Sequence, residues 1–173
     1  MKLHLVDING DLVSEWNETF QMFDEVEIYC CDILSIAENT IVSPANSYGF
    51  MDGGIDRIYT EHFGMRPQTE IQTLIASKEE GHLPVGEAVF VSTGDSKIPY
   101  MIAAPTMLTP GAVPASNCFF AMAAVLNAAD RNVDLVTDVY CPGLGTLTGR
   151  LEPKIAATEM AKAYAKWKNR KYA

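Results

Sequence analysis

Apolar and polar positions alternate over residues 2–8. Leu3, Leu5 and Asp7 fall on one face and His4, Val6 and Ile8 on the other, the period of two expected of a strand. Asn9-Gly10-Asp11 then reads as a turn, and Ser14 as the cap of a helix that aligns Trp16, Phe20 and Phe23. Further strands are predicted over residues 26–30, 40–43, 87–93, 100–104 and 134–141. The fourth and fifth of these six form an antiparallel hairpin through Gly94-Asp95-Ser96-Lys97, and the last, rich in Val and Leu, is central. Between them the period changes to 3.6. Ile55, Ile58, Tyr59, His62 and Phe63 mark the inner face of a helix that Gly64 ends. Pro67 starts the next helix, with Ile71, Leu74 and Ile75 inward and Gly81 as its C-cap. A long helix from Pro114 or Ala115 presents Phe120, Ala121, Ala124, Val125 and Ala128. A closing helix from Glu152-Pro153 buries Ala156, Met160, Ala163, Tyr164 and Trp167. Strands and helices in alternation predict an α/β fold: a three-layer α/β/α sandwich around a mixed, mostly parallel central sheet. One domain is expected over residues 1–173, a length typical of a single domain.

Composition narrows the picture. About half of the residues are hydrophobic (48%), enough for a sizeable core. No apolar run reaches the ~18 residues of a membrane span, and Asp7 interrupts the only apolar stretch near the N-terminus. A cytoplasmic protein without a membrane partner is therefore expected. The formal net charge of −9 argues against nucleic acid as a partner. The late basic residues Lys162, Lys166, Lys168, Arg170 and Lys171 complement the C-terminal end of a helix dipole. Cys30, Cys31, Cys118 and Cys141 show neither a CxxC pair nor a metal-ligand spacing with His4, His62 or His82. Buried free thiols and no metal are expected.

Two stretches carry candidate chemistry. Residues 41–56, IVSPANSYGFMDGGID, run from a strand through a Gly-containing loop into a helix N-terminus. Uncapped N–H groups at such a terminus, with the helix dipole behind them, suit an anion. Residues 142–150, PGLGTLTGR, again join a strand to a helix, with glycines and hydroxyls that present donors to phosphate oxygens. In a mostly parallel sheet both loops lie at the strands' C-terminal edge, where ligands collect, so together they predict a diphosphate ligand. Asp32 follows its strand in the same crevice position, with helix capping as its alternative role.

The two loops together resemble the macrodomain family. Ser43-Pro44-Ala45-Asn46-Ser47 is similar to the family's N-A-A-N-S, and Gly53-Gly54-Ile55-Asp56-Arg57-Ile58 to its V-D-G-A-I end after a Gly-rich loop, at a matching spacing. Cys31-Asp32-Ile33 resembles the family's G-D-I, and Gly145-Thr146-Leu147-Thr148-Gly149 its second phosphate loop. The resemblance implies an ADP-ribose site without a cofactor. Asp32 and Ile33 would hold the adenine, and Asn46 the distal ribose. Ala45, Gly53, Gly54 and Ile55 would line one side of the diphosphate, and Gly143, Leu144, Gly145, Thr146, Leu147, Thr148 and Gly149 the other. Tyr140 or Phe50 would line the cleft. Asn46 and Asp56 would be catalytic in a branch that hydrolyses ADP-ribosyl esters, adducts or the 1″-phosphate, free or on a macromolecule.

The chain also departs from the family pattern. Ser43 replaces the first Asn, Met51 and Asp52 stand where Gly is usual, Leu147 replaces a Gly, and Arg150 follows Gly149. Asp52 would repel a phosphate unless it faces solvent or caps the helix. These residues leave three functions open: a hydrolase, a non-catalytic reader of ADP-ribose or a related nucleotide, and an assembly protein with a degenerate cleft.

Overall fold

In a computed structural model, which describes residues 1–171, the six strands are β1 (Lys2–Asp7), β2 (Val26–Cys30), β3 (Thr40–Ser43), β4 (Val89–Ser92), β5 (Tyr100–Ala103) and β6 (Asp138–Cys141). They form one sheet in the order β2-β1-β6-β3-β5-β4. All neighbours are parallel except β4 and β5, the expected hairpin, and β6 is central as its apolar sequence requires. The helices are α1 (Gly10–Thr19), α2 (Ile33–Ile36), α3 (Gly54–Phe63), α4 (Arg66–Ala76), α5 (Ala115–Arg131) and α6 (Pro153–Lys171). The period of two sorts β1 between two cores. Leu3 and Leu5 pack with α1, α5 and α6 on one face, and Val6 packs with α2, α3 and α4 on the other. This gives three layers. Among the described residues no helix is long and apolar enough to cross a membrane.

The ladder joining β3 to β6 is short. It pairs Thr40 with Val139 and Ile41 with Tyr140, whereas β1 pairs five residues with β2 and four with β6. The sheet is thus two three-stranded halves that part just before the two candidate loops begin.

Several local expectations are corrected. Asn9, not Ser14, caps α1: its Oδ1 accepts from the N–H of Asp11 at 3.0 Å. Gly81 lies in a turn beyond Ser77, which ends α4. Leu74 and Phe120 face solvent. In α3 the buried face is Asp56 and Tyr59, while Ile58 and His62 point outward. Cys118 and Cys141 are buried free thiols, but Cys30 is exposed and Cys31 half-buried. The basic run of α6 also finds acidic partners: Lys168 on Glu25 (2.5 Å), Lys162 on Glu159 (2.7 Å) and Lys171 on Asp130 (3.1 Å).

At the sheet's opposite edge Asn39 joins three segments from a left-handed backbone conformation (φ 58°). Its Oδ1 accepts from Thr137 N and Thr40 Oγ1, and its Nδ2 donates to Leu135 O at 3.0 Å. Asn tolerates this conformation and Ala does not offer the bonds. Asn39→Ala is expected to cost about 2–3 kcal/mol in chemical denaturation, through strain and orphaned backbone groups.

Candidate functional site

Because β3 and β6 are parallel neighbours, the loops that leave them stand side by side at the C-terminal edge of the sheet. Between them lies an open cleft of about 620 Å³. Ala45, Asn46, Gly53, Gly54, Ile55 and Asp56 line one side. Gly143, Gly145, Thr146, Leu147, Thr148 and Gly149 line the other. A second hollow of about 690 Å³ adjoins it through Ile55 and is lined by Val6, Asp7, Ile8, Cys31, Asp32, Ile33 and Ile58. Apart from Tyr140, described below, all but one of the site residues singled out from the sequence line one of these two hollows. The exception is Leu144, whose side chain is buried in the core beside α1, α5 and α6.

The first loop is held rigid from within. Asn46 Oδ1 accepts from the N–H of Tyr48 at 3.0 Å, and its Nδ2 donates to Phe50 O at 2.9 Å. An amide carries two N–H bonds, so a second donor is left for a ligand. Met51 is strapped down: its N–H donates to Gln68 Oε1 (2.8 Å), its carbonyl accepts from Thr60 Oγ1 (2.7 Å), and its side chain is buried. A methionine at a position where the family has glycine therefore fills core, not cleft. Gly53 is the N-cap of α3 and supplies no side-chain cap, so the first N–H groups of α3 remain for an anion. Asp52 does not cap either; it is exposed on the cleft wall.

Asp56 points from the first turn of α3 into the base of the cleft and is only 7% exposed. Ser43, buried at the end of β3, donates its hydroxyl to Asp56 Oδ1 at 2.5 Å. Burial pushes the carboxyl up to about 7, the charge of Asp52 adds to the rise, and the Ser43 hydrogen bond opposes it. One turn on, the buried Tyr59 donates to Val42 O at 3.2 Å.

The second loop is anchored by Asp7, whose Oδ2 accepts from Gly143 N at 3.0 Å and whose Oδ1 accepts from Asn9 N at 2.9 Å. Its return leg is tied by Leu151 N to Gly145 O (2.9 Å) and by Val113 N to Gly149 O (3.0 Å). Leu147 is exposed and reaches toward Gly54; a Cβ on that glycine would stand 3.6 Å from Leu147 Cδ2. Arg150 is exposed in a left-handed conformation and is not among the cleft-lining residues.

Phe50 lines the cleft, but Tyr140 does not. Tyr140 stacks on His4 with ring centroids 4.2 Å apart, in the layer below. Thr106, Met107 and Pro110 complete the cleft and were not foreseen. They follow β5, which is parallel to β3, so its exit loop had to reach the same edge. Asp7 was likewise missed as a loop anchor, although it ends its strand in the same crevice position as Asp32.

The chain is thus an α/β/α sandwich with an open groove between two βα loops at the C-terminal edge of its sheet, the edge where ligands of such folds collect. Residues 42–160 match the family described as Macro domain. An uncharacterised protein of Aquifex aeolicus is 31% identical over 145 residues, 83% of this chain and 82% of that protein. An Oceanobacillus iheyensis macrodomain variant with ADPR superposes with a TM-score of 0.67 at 17% identity, over 79% of this chain and 74% of that one. Thermosipho africanus DarTG in complex with ADP-ribose gives 0.64 at 14% identity; this chain is covered to 91% and spans 49% of that protein. The chain belongs to the Macro domain family.

Proposed function

We propose that the groove binds an ADP-ribosyl group and that the protein hydrolyses its bond to an acyl, phosphoryl or similar group at the distal ribose. Adenine lies in the hollow beside Asp32 and Ile33. The diphosphate runs between the N-terminus of α3 and the second loop, and the distal ribose sits near Asn46 and Asp56. The Oceanobacillus iheyensis macrodomain with ADPR and Thermosipho africanus DarTG in complex with ADP-ribose support this reading, since this chain superposes on both.

One observation carries the hydrolytic part: a carboxyl at the base of the cleft whose pKa burial raises to about 7. Near neutral pH such a group takes a proton from water more readily than an ordinary surface carboxylate. Asp56 accepts the proton as the water oxygen bonds to the distal-ribose anomeric carbon. The bond from that carbon to the leaving group breaks, and the pair of electrons departs with the carboxylate or phosphate. Leu147, standing opposite Gly54, favours a second reading in which the groove only holds the ligand.

Titration calorimetry with ADP-ribose, with AMP and NAD as controls, tests the binding. Micromolar affinity is expected, and Asp32→Ala is expected to weaken it by at least about tenfold, or ~1.4 kcal/mol. No heat and no thermal stabilisation would overturn the reading. Turnover of ADP-ribosyl esters and of the 1″-phosphate then separates hydrolase from reader. Unchanged turnover in both Asn46→Ala and Asp56→Ala would remove the assigned chemistry.

A further inference from the structure

Two of the positions at which this chain departs from the family pattern act on one carboxyl. Ser43, in place of the family's first Asn, ends β3 and bonds to Asp56, and the charge of Asp52 bears on it from the first loop. The period of two along β3 points Ser43 to the face of the sheet that holds Ile41, the face covered by α3 and α4. There Ser43 is fully buried and does not line the cleft, so its oxygen is out of reach of a ligand and is no nucleophile. A hydroxyl buried in this way needs a partner. Its partner is Asp56 Oδ1 at 2.5 Å. Among the described residues the hydroxyl makes no other hydrogen bond, and the Asp56 carboxyl accepts no other. The last side-chain torsion of an aspartate is broad, so the backbone of α3 alone does not decide which oxygen faces the cleft. A donor fixed to the end of a central strand does decide it. Oδ1 is engaged from the sheet, and Oδ2 is left to the cleft that Asp56 lines.

We propose that Ser43 is a positioning residue for the hydrolysis: by holding Oδ1 it aims Oδ2 into the cleft as the oxygen that takes the proton from water, while the serine keeps its own proton. The inference rests on the hydrolytic reading above and adds the residue that aims the base. A donor held on the charged form also favours ionisation. The other groups around Asp56 do not duplicate this effect. Asp52 opposes ionisation. Tyr59 and Cys141 are kept neutral by burial, and Asp7 and Asp32 push the Tyr59 hydroxyl the same way as Asp56 does. The second loop presents Thr146 and Thr148 and the loop after β5 presents Thr106, all uncharged, and Arg150 does not line the cleft.

The test follows turnover of an ADP-ribosyl ester and of the 1″-phosphate from about pH 5 to about pH 9, and titrates the Asp56 carboxyl over the same range by carboxyl-carbon NMR, its signal assigned by its loss in Asp56→Asn. Ser43→Ala removes the hydroxyl, and Ser43→Cys replaces it with a weak donor of similar size. In both, the midpoint of the rate profile and of the Asp56 titration is expected to rise by about half to one pH unit. The plateau rate is expected to fall by about 3–30-fold, with KM within about threefold of wild type. Ser43→Thr keeps a hydroxyl and is expected to return the midpoint to within about 0.3 unit of wild type. A rate lowered equally at every pH, or an Asp56 titration unmoved in both Ser43→Ala and Ser43→Cys, means a serine that only packs, and overturns the proposal alone. Wild-type protein that turns over neither substrate overturns the hydrolytic reading, and the proposal with it.

Discussion

Asp56→Asn is expected to lower turnover by about 10²–10⁴-fold, the usual contribution of a general base, while ADP-ribose affinity stays within about threefold. The same substitution should make the protein more stable at pH 8. In the folded chain the Asp56 carboxyl keeps its proton up to about pH 7; in the unfolded chain it loses it near the ordinary 3.8. Between those values the unfolded state binds fewer protons than the folded one, so this group's contribution falls as pH rises and is fully lost above about 7. The upper bound on that loss is about 4 kcal/mol. Asparagine keeps the acceptor for the Ser43 hydroxyl and removes the ionisation, so a gain of about 2–4 kcal/mol at pH 8, shrinking towards pH 4, is expected from melts across that range. The wild-type rate runs the opposite way, rising as pH passes through about 7 and levelling above it as the base ionises. A pH-independent rate over that range, or a destabilised Asp56→Asn protein at pH 8, would contradict the role assigned to this carboxyl.

Gly149→Ala is expected to damage the second loop more than any other single methyl group there. A Cβ on Gly149 would lie 2.5 Å from Gly145 O, 2.9 Å from Gly145 Cα and 2.9 Å from Val113 Cγ2. The first two are backbone, which a rotamer change cannot move aside. The loop must open, loosening the tie from Leu151 N to Gly145 O and the one from Val113 N to Gly149 O. Overpacking of this kind costs about 1–3 kcal/mol, and the displaced N–H groups should lower ADP-ribose affinity by at least about tenfold. Gly53→Ala is the control, since nothing lies within 4 Å of a Cβ built there and its φ of −136° is ordinary. Its stability in urea is expected to stay within about 0.5 kcal/mol of wild type. Similar destabilisation by both alanines would mean that the crossing of the loop at Gly145 is not what shapes it.

Much of this molecule is legible in its sequence because burial leaves a periodic trace. Leu3 and Leu5 against Val6, or Ala156, Met160, Ala163, Tyr164 and Trp167 along α6, fall where the apolar period puts them. The misreadings occur where two causes compete for one position. Ser14 is a good cap by type, but Asn9 lies earlier and already satisfies the first N–H groups. In α3 the apolar stripe pointed to Ile58 and His62, whereas the protein buries Asp56 instead. An acidic residue in a first helical turn is ordinarily explained by the dipole, so no pattern of polarity could show that it faces inward. The loop glycines and Asn46 were legible as a motif. The burial of the Leu144 side chain and the contribution of Thr106, Met107 and Pro110 depend on chain crossings that no local window contains.

The short ladder between β3 and β6 has a mechanical consequence. Among the described residues the ladder between the β2-β1-β6 half of the sheet and the β3-β5-β4 half has two residue pairs, and the cleft opens where that seam stops. A ligand gripped by both loops would rivet the seam from its open end. Amide hydrogens along it should then exchange with deuterium more slowly in the bound protein, while those of the five-residue ladder between β1 and β2, remote from the rivet, keep their rates.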